Sequence, residues 1–175
     1  MKRIIVITLA VFISFFIYKE IKEDTIVIPD TAIRLRVIPN SNSSLDQKMK
    51  AKVKTYLESN TYNLLKNETD INRARELIEE SIPTIEDSID NIFKENKYPL
   101  TYTINYGNNY FPSKTYRGIK YEEGYYESLV ISIGKAEGDN WWCVLFPNLC
   151  LVDLEEKENT EYKSWVLENI NKIFK

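Results

Sequence analysis

The chain contains no histidine and only two cysteines among its 175 residues. The lack of histidine excludes every mechanism that needs a histidine base, the commonest general base in enzymes. It also argues against a metal site, because zinc is held mainly by histidine and cysteine, and two cysteines cannot complete a set of four ligands. The sequence therefore predicts no catalytic residue, no cofactor and no metal ion.

An excess of positive charge is also missing, since 23 lysines and arginines stand against 26 acidic residues. Setting aside Lys2 and Arg3 lowers the formal net charge from −3 to −5. Nucleic-acid binding depends largely on cations that neutralise phosphates, so we expect no nucleic acid as a partner. The length fits one domain with a sizeable core.

The N-terminus has the form of an export signal: two cations, an uncharged and mostly apolar run at residues 4–18, then a charged run. The run is shorter than the ~20 residues of a membrane span, and no small residues near its end mark a cleavage site. Three interpretations of this run are possible: an uncleaved anchor, a cleaved signal peptide or a buried core element. The first two place the rest of the chain outside the cytoplasm. We divide the chain into signal or anchor (1–18), linker and short extended segment (19–31) and one domain (32–175).

The domain opens with a strand at residues 32–39, in which apolar residues alternate with Arg34 and Arg36. This pattern predicts a half-buried strand with a basic outer face. The two arginines serve either solubility or a docking surface for an acidic partner.

Two helices follow the strand. The first begins with a capping box from Ser44 to Gln47. Lysines lie beside its apolar stripe, and they either cover the edge of the stripe with their alkyl chains or hold the domain near anionic lipid or wall polymer. The second is capped between Asn67 and Asp70 and ends near Asn96. Its apolar stripe keeps its phase across Pro83, which favours one helix kinked on its solvent side.

Strands dominate the rest of the domain. We expect strands at residues 100–106 and 110–116 with a turn at 107–109 between them, a second turn at 118–124, and a clear strand at 125–133. An amphipathic helix is expected from Tyr162 onward. The predicted fold class is α+β, with an antiparallel sheet, two helices from the N-terminal half and a C-terminal helix.

Residues 138–150 hold two of the three tryptophans and both cysteines, and predict a buried hairpin with strands at 142–146 and 149–154. Cys143 and Cys150 stand opposite each other if the hairpin turns about Phe146-Pro147, which makes a cis bond there a hypothesis; the alternative is a longer loop with trans Pro147. In an exported domain the two cysteines can pair as a disulfide. Otherwise they are two buried thiols.

Three segments together resemble the stage II sporulation protein R family. They are Ile-Arg-Leu-Arg-Val-Ile-Pro-Asn-Ser at residues 33–41, Asp-Gln-Lys-Met-Lys at 46–50, and Asn-Trp-Trp-Cys-Val-Leu-Phe-Pro-Asn-Leu-Cys at 140–150. The likeness runs from about residue 32 to residue 153, and the third segment is long and specific.

The resemblance implies an intercellular signal of endospore formation without catalytic residues of its own. Such a protein is made in the forespore and exported into the space between the two membranes. There it activates a membrane-bound aspartic protease of the mother cell, which cleaves the precursor of the sigma factor sigma-E. The expected partners are thus this protease and, through the N-terminal segment, a membrane.

Tryptophan, tyrosine and arginine dominate interface energetics, so an activating ligand should present an aromatic surface with a few arginines. The candidate partner-binding residues are Arg34, Arg36, Tyr125, Tyr126, Trp141 and Trp142. The alternative is that the tryptophans belong to the core.

Two other functions compete with signalling. A cell-wall carbohydrate-binding or hydrolytic module could stack sugars on the aromatic residues and use carboxylates such as Glu122, Glu123 and Asp139 in pairs. A redox role for the cysteines is weaker, because their spacing is unlike that of a Cys-x-x-Cys site.

Overall fold

A computed structural model describes residues 26–28, 30–116 and 119–147. Its strands and helices are, in chain order, β1 (Ile26–Val27), β2 (Ile33–Ile38), α1 (Ser44–Leu65), α2 (Ile71–Glu95), β3 (Tyr102–Phe111), β4 (Lys114–Tyr116), β5 (Ile119–Tyr121), β6 (Gly124–Ile133) and β7 (Trp141–Phe146). The fold class is α+β, as predicted. The expected N-terminal signal, the strand at 149–154 and the C-terminal helix lie outside the described residues.

The main sheet has four strands in the order β3-β6-β2-β7, and it is mixed. Strand β2 runs parallel to β6 and antiparallel to β7, while β3 and β6 are antiparallel. The prediction of an antiparallel sheet was therefore wrong. Parallel neighbours need a long crossover, which α1, α2 and β3 supply here, and apolar alternation within a strand says nothing about the direction of its neighbour.

Both helices begin with a side-chain cap. The hydroxyl of Ser43, one residue before the predicted Ser44, accepts a hydrogen bond from the Asp46 backbone N–H and caps α1. Asp70 caps α2 by accepting from the backbone N–H groups of Asn72 and Arg73. Helix α2 continues through Pro83 to Glu95, with Asn96 as its C-cap, which confirms a single helix.

The core lies between the helices and one face of the main sheet. Ile33, Leu35 and Val37 of β2 share it with Leu129, Ile131 and Ile133 of β6, and all six are fully buried. They meet an apolar stripe on the helices. Each such side chain contributes about 1.5–3 kcal/mol on burial. The burial of Ile33, Leu35 and Val37 together confirms the apolar face predicted for β2.

Strand β3 has no turn at residues 107–109 and pairs with β6 without interruption from Tyr102 to Phe111. The expected turn was wrong. Gly107 adopts φ 151°, which suits glycine, and the Asn109 side chain donates to the Ser128 carbonyl at 3.2 Å instead of forming a turn. A partner strand of equal length, β6, overrides the local turn signal of Gly-Asn-Asn.

Residues 118–124 are likewise not only a turn, because β5 lies within them. It pairs antiparallel with β4 and parallel with β1 in a three-stranded sheet ordered β1-β5-β4. The short extended segment predicted within residues 19–31 thus includes a strand, β1, and this strand finds a partner, β5, that its own sequence does not indicate.

The Trp-rich strand β7 is buried along all six residues. The Phe146-Pro147 peptide bond is cis, which confirms the hypothesis of a cis proline. Cys143 is buried at 9% exposure. Its predicted partner, Cys150, lies outside the described residues, so the disulfide stays a prediction.

Candidate interaction surface

The second face of the main sheet, opposite the helices, carries the two arginines of β2. Successive residues of a strand point to opposite faces, so Arg34 and Arg36 lie on this face together with Phe111, Tyr126 and Trp142 from β3, β6 and β7. These five residues are called the cation–aromatic layer below. Phe111 packs edge-on against Trp142 with ring centroids 5.0 Å apart.

Arg34 is the buried member of the cation–aromatic layer. Its guanidinium carbon lies 3.3 Å from the centroid of the Tyr126 ring and 5.7 Å from that of Phe111, and the residue is only 1% exposed. The predicted basic outer face is therefore wrong at this position. Arg34 is enclosed because β2 has a neighbouring strand on each side and aromatic rings above it.

Arg36 is the accessible cation of the layer. It is half-buried and lies 4.9 Å from the Trp142 ring centroid. The Asn140 side-chain amide is oriented with its oxygen toward the Arg36 guanidinium. This oxygen accepts hydrogen bonds from Arg36 Nη2 at 2.6 Å and from Arg36 Nε at 2.9 Å. Burial lowers the pKa of Arg36, and no carboxylate in the described part of the chain forms an ion pair with it.

Two lysines extend the positive charge beyond Arg36. The Lys114 ammonium lies 5.5 Å from the Trp142 ring centroid. Lys50 donates from Nζ to the Asp139 carbonyl at 2.8 Å. Burial lowers the pKa of Lys50, the nearby Asp139 carboxylate opposes that shift, and the positive charge of Lys114 acts in the same direction as burial. Arg36, Lys50 and Lys114 are called the basic rim. Arg36 and Lys114 lie beside the buried Trp142 indole, and Lys50 adds a third positive charge near Lys114. This arrangement suits an anionic group such as a carboxylate.

The six predicted partner-binding residues do not form one surface. Arg34, Arg36, Tyr126 and Trp142 share the second face, but Tyr125 and Trp141 lie on the helix side of the sheet. Trp141 is part of the helix-side core, under Lys54 at 5.8 Å. Tyr125 is 69% exposed and packs on Tyr110 with ring centroids 5.6 Å apart.

Several residues of this surface were not singled out from the sequence as binding residues. Phe111 and Lys114 both fall in the strand predicted at residues 110–116, whereas the structure places Phe111 at the end of β3 and Lys114 at the start of β4. Asn140 stood in the quoted Asn-Trp-Trp motif, and its contact with Arg36 gives that asparagine a physical role. Lys50 is one of the lysines flanking the α1 stripe and ends the quoted Asp-Gln-Lys-Met-Lys segment, but neither pattern indicates that it lies near Lys114.

The carboxylates considered for hydrolysis do not come together. Glu122 and Glu123 precede β6, whereas Asp139 precedes β7, and the strand pairing places these two starts at opposite ends of the sheet. The register places Asp139 level with Ile133, at the other end of β6 from Glu123. At ~3.3 Å per residue the separation is roughly 30 Å, beyond the ~5–9.5 Å of glycosidase pairs. Within the described ranges no group of three or more His, Cys, Asp or Glu side chains is placed to hold a metal ion.

Neither tryptophan offers an open platform for a sugar ring. Trp141 is 9% exposed and Trp142 is 4% exposed, and they face opposite sides of the sheet. Among the described helices, none has the length and apolar character to cross a bilayer. The predicted anchor at residues 4–18 lies outside that part of the chain.

Comparison with known proteins gives two matches. A family model described as stage II sporulation protein R matches residues 29–156. The chain is also 32% identical over 168 residues to stage II sporulation protein R of Bacillus subtilis (strain 168), covering 90% of this chain and 75% of that protein. No solved structure matches.

Proposed function

Since the chain belongs to the stage II sporulation protein R family, we propose that it is a non-enzymatic signalling protein of endospore formation. It activates the membrane-bound aspartic protease of the mother cell, which processes the sigma-E precursor. The protein leaves the forespore through its N-terminal segment, residues 1–18, and acts in the space between the two membranes, secreted or still anchored.

The observation that carries this proposal is the half-buried Arg36, which stacks on Trp142 and has no carboxylate partner among the described residues. A partially desolvated guanidinium with fixed geometry gains more from an incoming carboxylate than a fully solvated one does. Lys114 and Lys50 add charge of the same sign. An acidic segment of the receptor is therefore the expected ligand of the basic rim.

Activation by binding sets an energetic requirement. A ligand shifts a receptor only through its preference for the active state. Moving an equilibrium from mostly inactive to mostly active takes about 5.5 kcal/mol of differential binding. One or two charge-assisted contacts at about 1.5–3 kcal/mol each supply a large part of this, so loss of Arg36 alone should reduce activation strongly.

The test is co-expression, outside sporulation, of this protein with the protease and its sigma precursor. Cleavage of the precursor should depend on this protein and should survive replacement of residues 4–18 by another export signal. The variant Arg36→Gln should reduce cleavage by about tenfold.

The matched control is Arg73→Gln, which removes the same charge from an exposed residue of α2 whose ion pairs among the described residues are with Glu76 and Glu80. It should leave cleavage unchanged. Precursor cleavage that is independent of this protein would contradict the signalling role. Equal activity of Arg36→Gln and Arg73→Gln would contradict the role of the basic rim.

A further inference from the structure

Strand β3 forms an open edge of the main sheet. It is the first strand in the order β3-β6-β2-β7, and in the described part of the chain no strand pairs with its outer side. The other edge strand, β7, is buried along its whole length, whereas every residue of β3 before Phe111 is half-buried or exposed. Of the two edge strands of the main sheet, β3 is therefore the accessible one in the described part of the chain.

The backbone groups that face outward can be assigned. Gly134 N donates to Thr101 O at 2.9 Å, which continues the ladder that pairs Tyr102 with Ile133. Bonded and non-bonded pairs alternate along an antiparallel ladder. Tyr102, Ile104 and Tyr106 thus direct their N–H and C=O groups away from β6.

The edge lacks the features that normally block it. Exposed edge strands usually carry lysine, other charges or proline, because their unpaired backbone groups can take another strand. The ten residues of β3 include no charged residue and no proline. An unblocked edge of this length is typical of sites that bind a partner by strand addition.

The neighbouring helix gives the edge a negative charge. An open groove of about 540 Å³ runs beside β3, and Glu86 and Asp90 of α2 line it together with Phe93, Leu100 and Ile104. Asp90 accepts the Tyr102 hydroxyl at 2.8 Å. Neither carboxylate forms an ion pair with any described cation, so the groove is complementary to basic side chains.

We propose that the outer edge of β3 binds an extended basic segment of a protein partner as an added strand. Its backbone pairs with Tyr102, Ile104 and Tyr106, and its lysine or arginine side chains meet Glu86 and Asp90. A second copy of this chain fits less well, because β3 itself has no cation to offer these carboxylates. This inference goes beyond the proposed function and does not rest on it.

The probe is a capped peptide of alternating lysine and valine, added to the full-length chain in detergent micelles. Hydrogen exchange of backbone amides, resolved by residue, reads out strand pairing directly. We expect exchange at Tyr102, Ile104 and Tyr106 to slow by about tenfold or more, since an added strand bonds these N–H groups. A peptide of alternating glutamate and valine should give no protection.

The charge requirement is tested by the double variant Glu86→Lys with Asp90→Asn, where asparagine keeps an acceptor for the Tyr102 hydroxyl. It should weaken binding of the lysine peptide by about tenfold. The control is Glu80→Lys, because Glu80 is 66% exposed and lies on another side of α2. It should bind the peptide as the wild type does.

Absence of protection at the three amides with the lysine peptide would overturn the proposal. Equal protection by the glutamate peptide, or unchanged binding by the double variant, would overturn its charge requirement and with it the basic partner. The precursor-cleavage assay plays no part here, so this inference and the proposed function can fail separately.

Discussion

The guanidinium carbon of Arg34 lies 3.3 Å from the centroid of the Tyr126 ring. This contact joins β2 to β6 on the face that the helices do not cover, and both residues are more than nine-tenths buried. A cation stacked on an aromatic ring and shielded from water contributes about 2 kcal/mol. Arg34 therefore stabilises the surface on which Arg36 is presented, and at 1% exposure it offers almost no surface area to a partner.

Replacement of Arg34 by methionine, which has a similar length and no charge, should lower the free energy of unfolding by about 2 kcal/mol. Urea denaturation at neutral pH measures this change. Tyr126→Phe keeps the ring and removes only the hydroxyl that donates to the Glu122 carbonyl at 3.2 Å, so it should cost about 1 kcal/mol or less. An Arg34→Met variant with wild-type stability and no precursor cleavage would mean that Arg34 contacts the partner directly.

Arg34 is buried and Arg36 is accessible, although both alternate with apolar residues in the same way; the sequence of β2 predicts the face of each residue but not its exposure. Alternation in Ile33–Ile38 correctly assigned which residues face the helices. It could not show that β2 is an inner strand of the sheet or that Phe111 and Tyr126 cover Arg34, because those neighbours come from segments far along the chain. Arginine on a strand is usually solvated, and only tertiary contacts override that rule.

Helix α2 is tied to the sheet by Arg75, whose Nε and Nη2 donate to the Glu127 carboxylate at 2.9 and 2.8 Å. The hydrogen bonds from Arg75 lower the pKa of Glu127. The two side chains are 39% and 27% exposed, so solvent screens the pair and its coupling should be about 1 kcal/mol.

A double-mutant cycle of Arg75→Gln and Glu127→Gln in urea measures that coupling. We expect it to fall when the salt concentration is raised, because part of the pair is solvated. A coupling near zero would mean that the contact orients Tyr106 and α2 without stabilising them, even though the Tyr106 hydroxyl donates to the same carboxylate at 2.8 Å.

The pairing of Cys143 with Cys150 is open to a direct measurement. Alkylation of the protein in urea without reductant should add no mass, whereas alkylation after reduction should modify both cysteines. Unfolding in urea is needed because Cys143 is buried at 9% exposure and a buried thiol would be protected in the native state. Two adducts without reductant would show free thiols and would contradict the prediction of a disulfide.

The candidate surface was only partly predictable because the two sides of a sheet separate residues that are adjacent in sequence. Trp141 and Trp142 were grouped as one binding feature, yet the pleat sends them to opposite faces. The basic rim joins residues from β2, α1 and β4. No local pattern could indicate a cluster that depends on how three separate elements pack.

Asp46 should make the protein more stable at neutral pH than in acid. Its carboxylate is 5% exposed and accepts hydrogen bonds from the Ser41 hydroxyl, the Tyr98 hydroxyl and the Asn40 amide. These hydrogen bonds hold the pKa of Asp46 well below its ordinary value, and the bond from Ser41 has the largest effect. A carboxyl with a depressed pKa in the folded state contributes stability above its unfolded pKa and loses it as the pH falls.

The measurement is the free energy of unfolding of the wild type and Asp46→Asn from pH 7 down to pH 2.5. We expect the variant to be less stable by about 2–3 kcal/mol at pH 7. Asparagine has only one acceptor oxygen, so it cannot keep the bonds that Ser41 and Asn40 donate to Oδ2 together with the bond that Tyr98 donates to Oδ1. The difference should shrink below pH ~4, where the unfolded carboxyl takes up a proton. Glu127 also has a lowered pKa, but it is unchanged in the variant and its contribution cancels in the difference.

The matched control for Asp46 is Asp70→Asn, which alters the exposed N-cap of α2, where asparagine caps as well as aspartate does. It should lie within about 0.5 kcal/mol of the wild type across the range. If the Asp46→Asn difference stayed constant down to pH 2.5, its cost would come from altered packing rather than from the charge of the carboxylate. The hydroxyls of Ser41 and Tyr98 would then not stabilise the charged form of Asp46, and their hydrogen bonds would only help to hold the loop that joins β2 to α1.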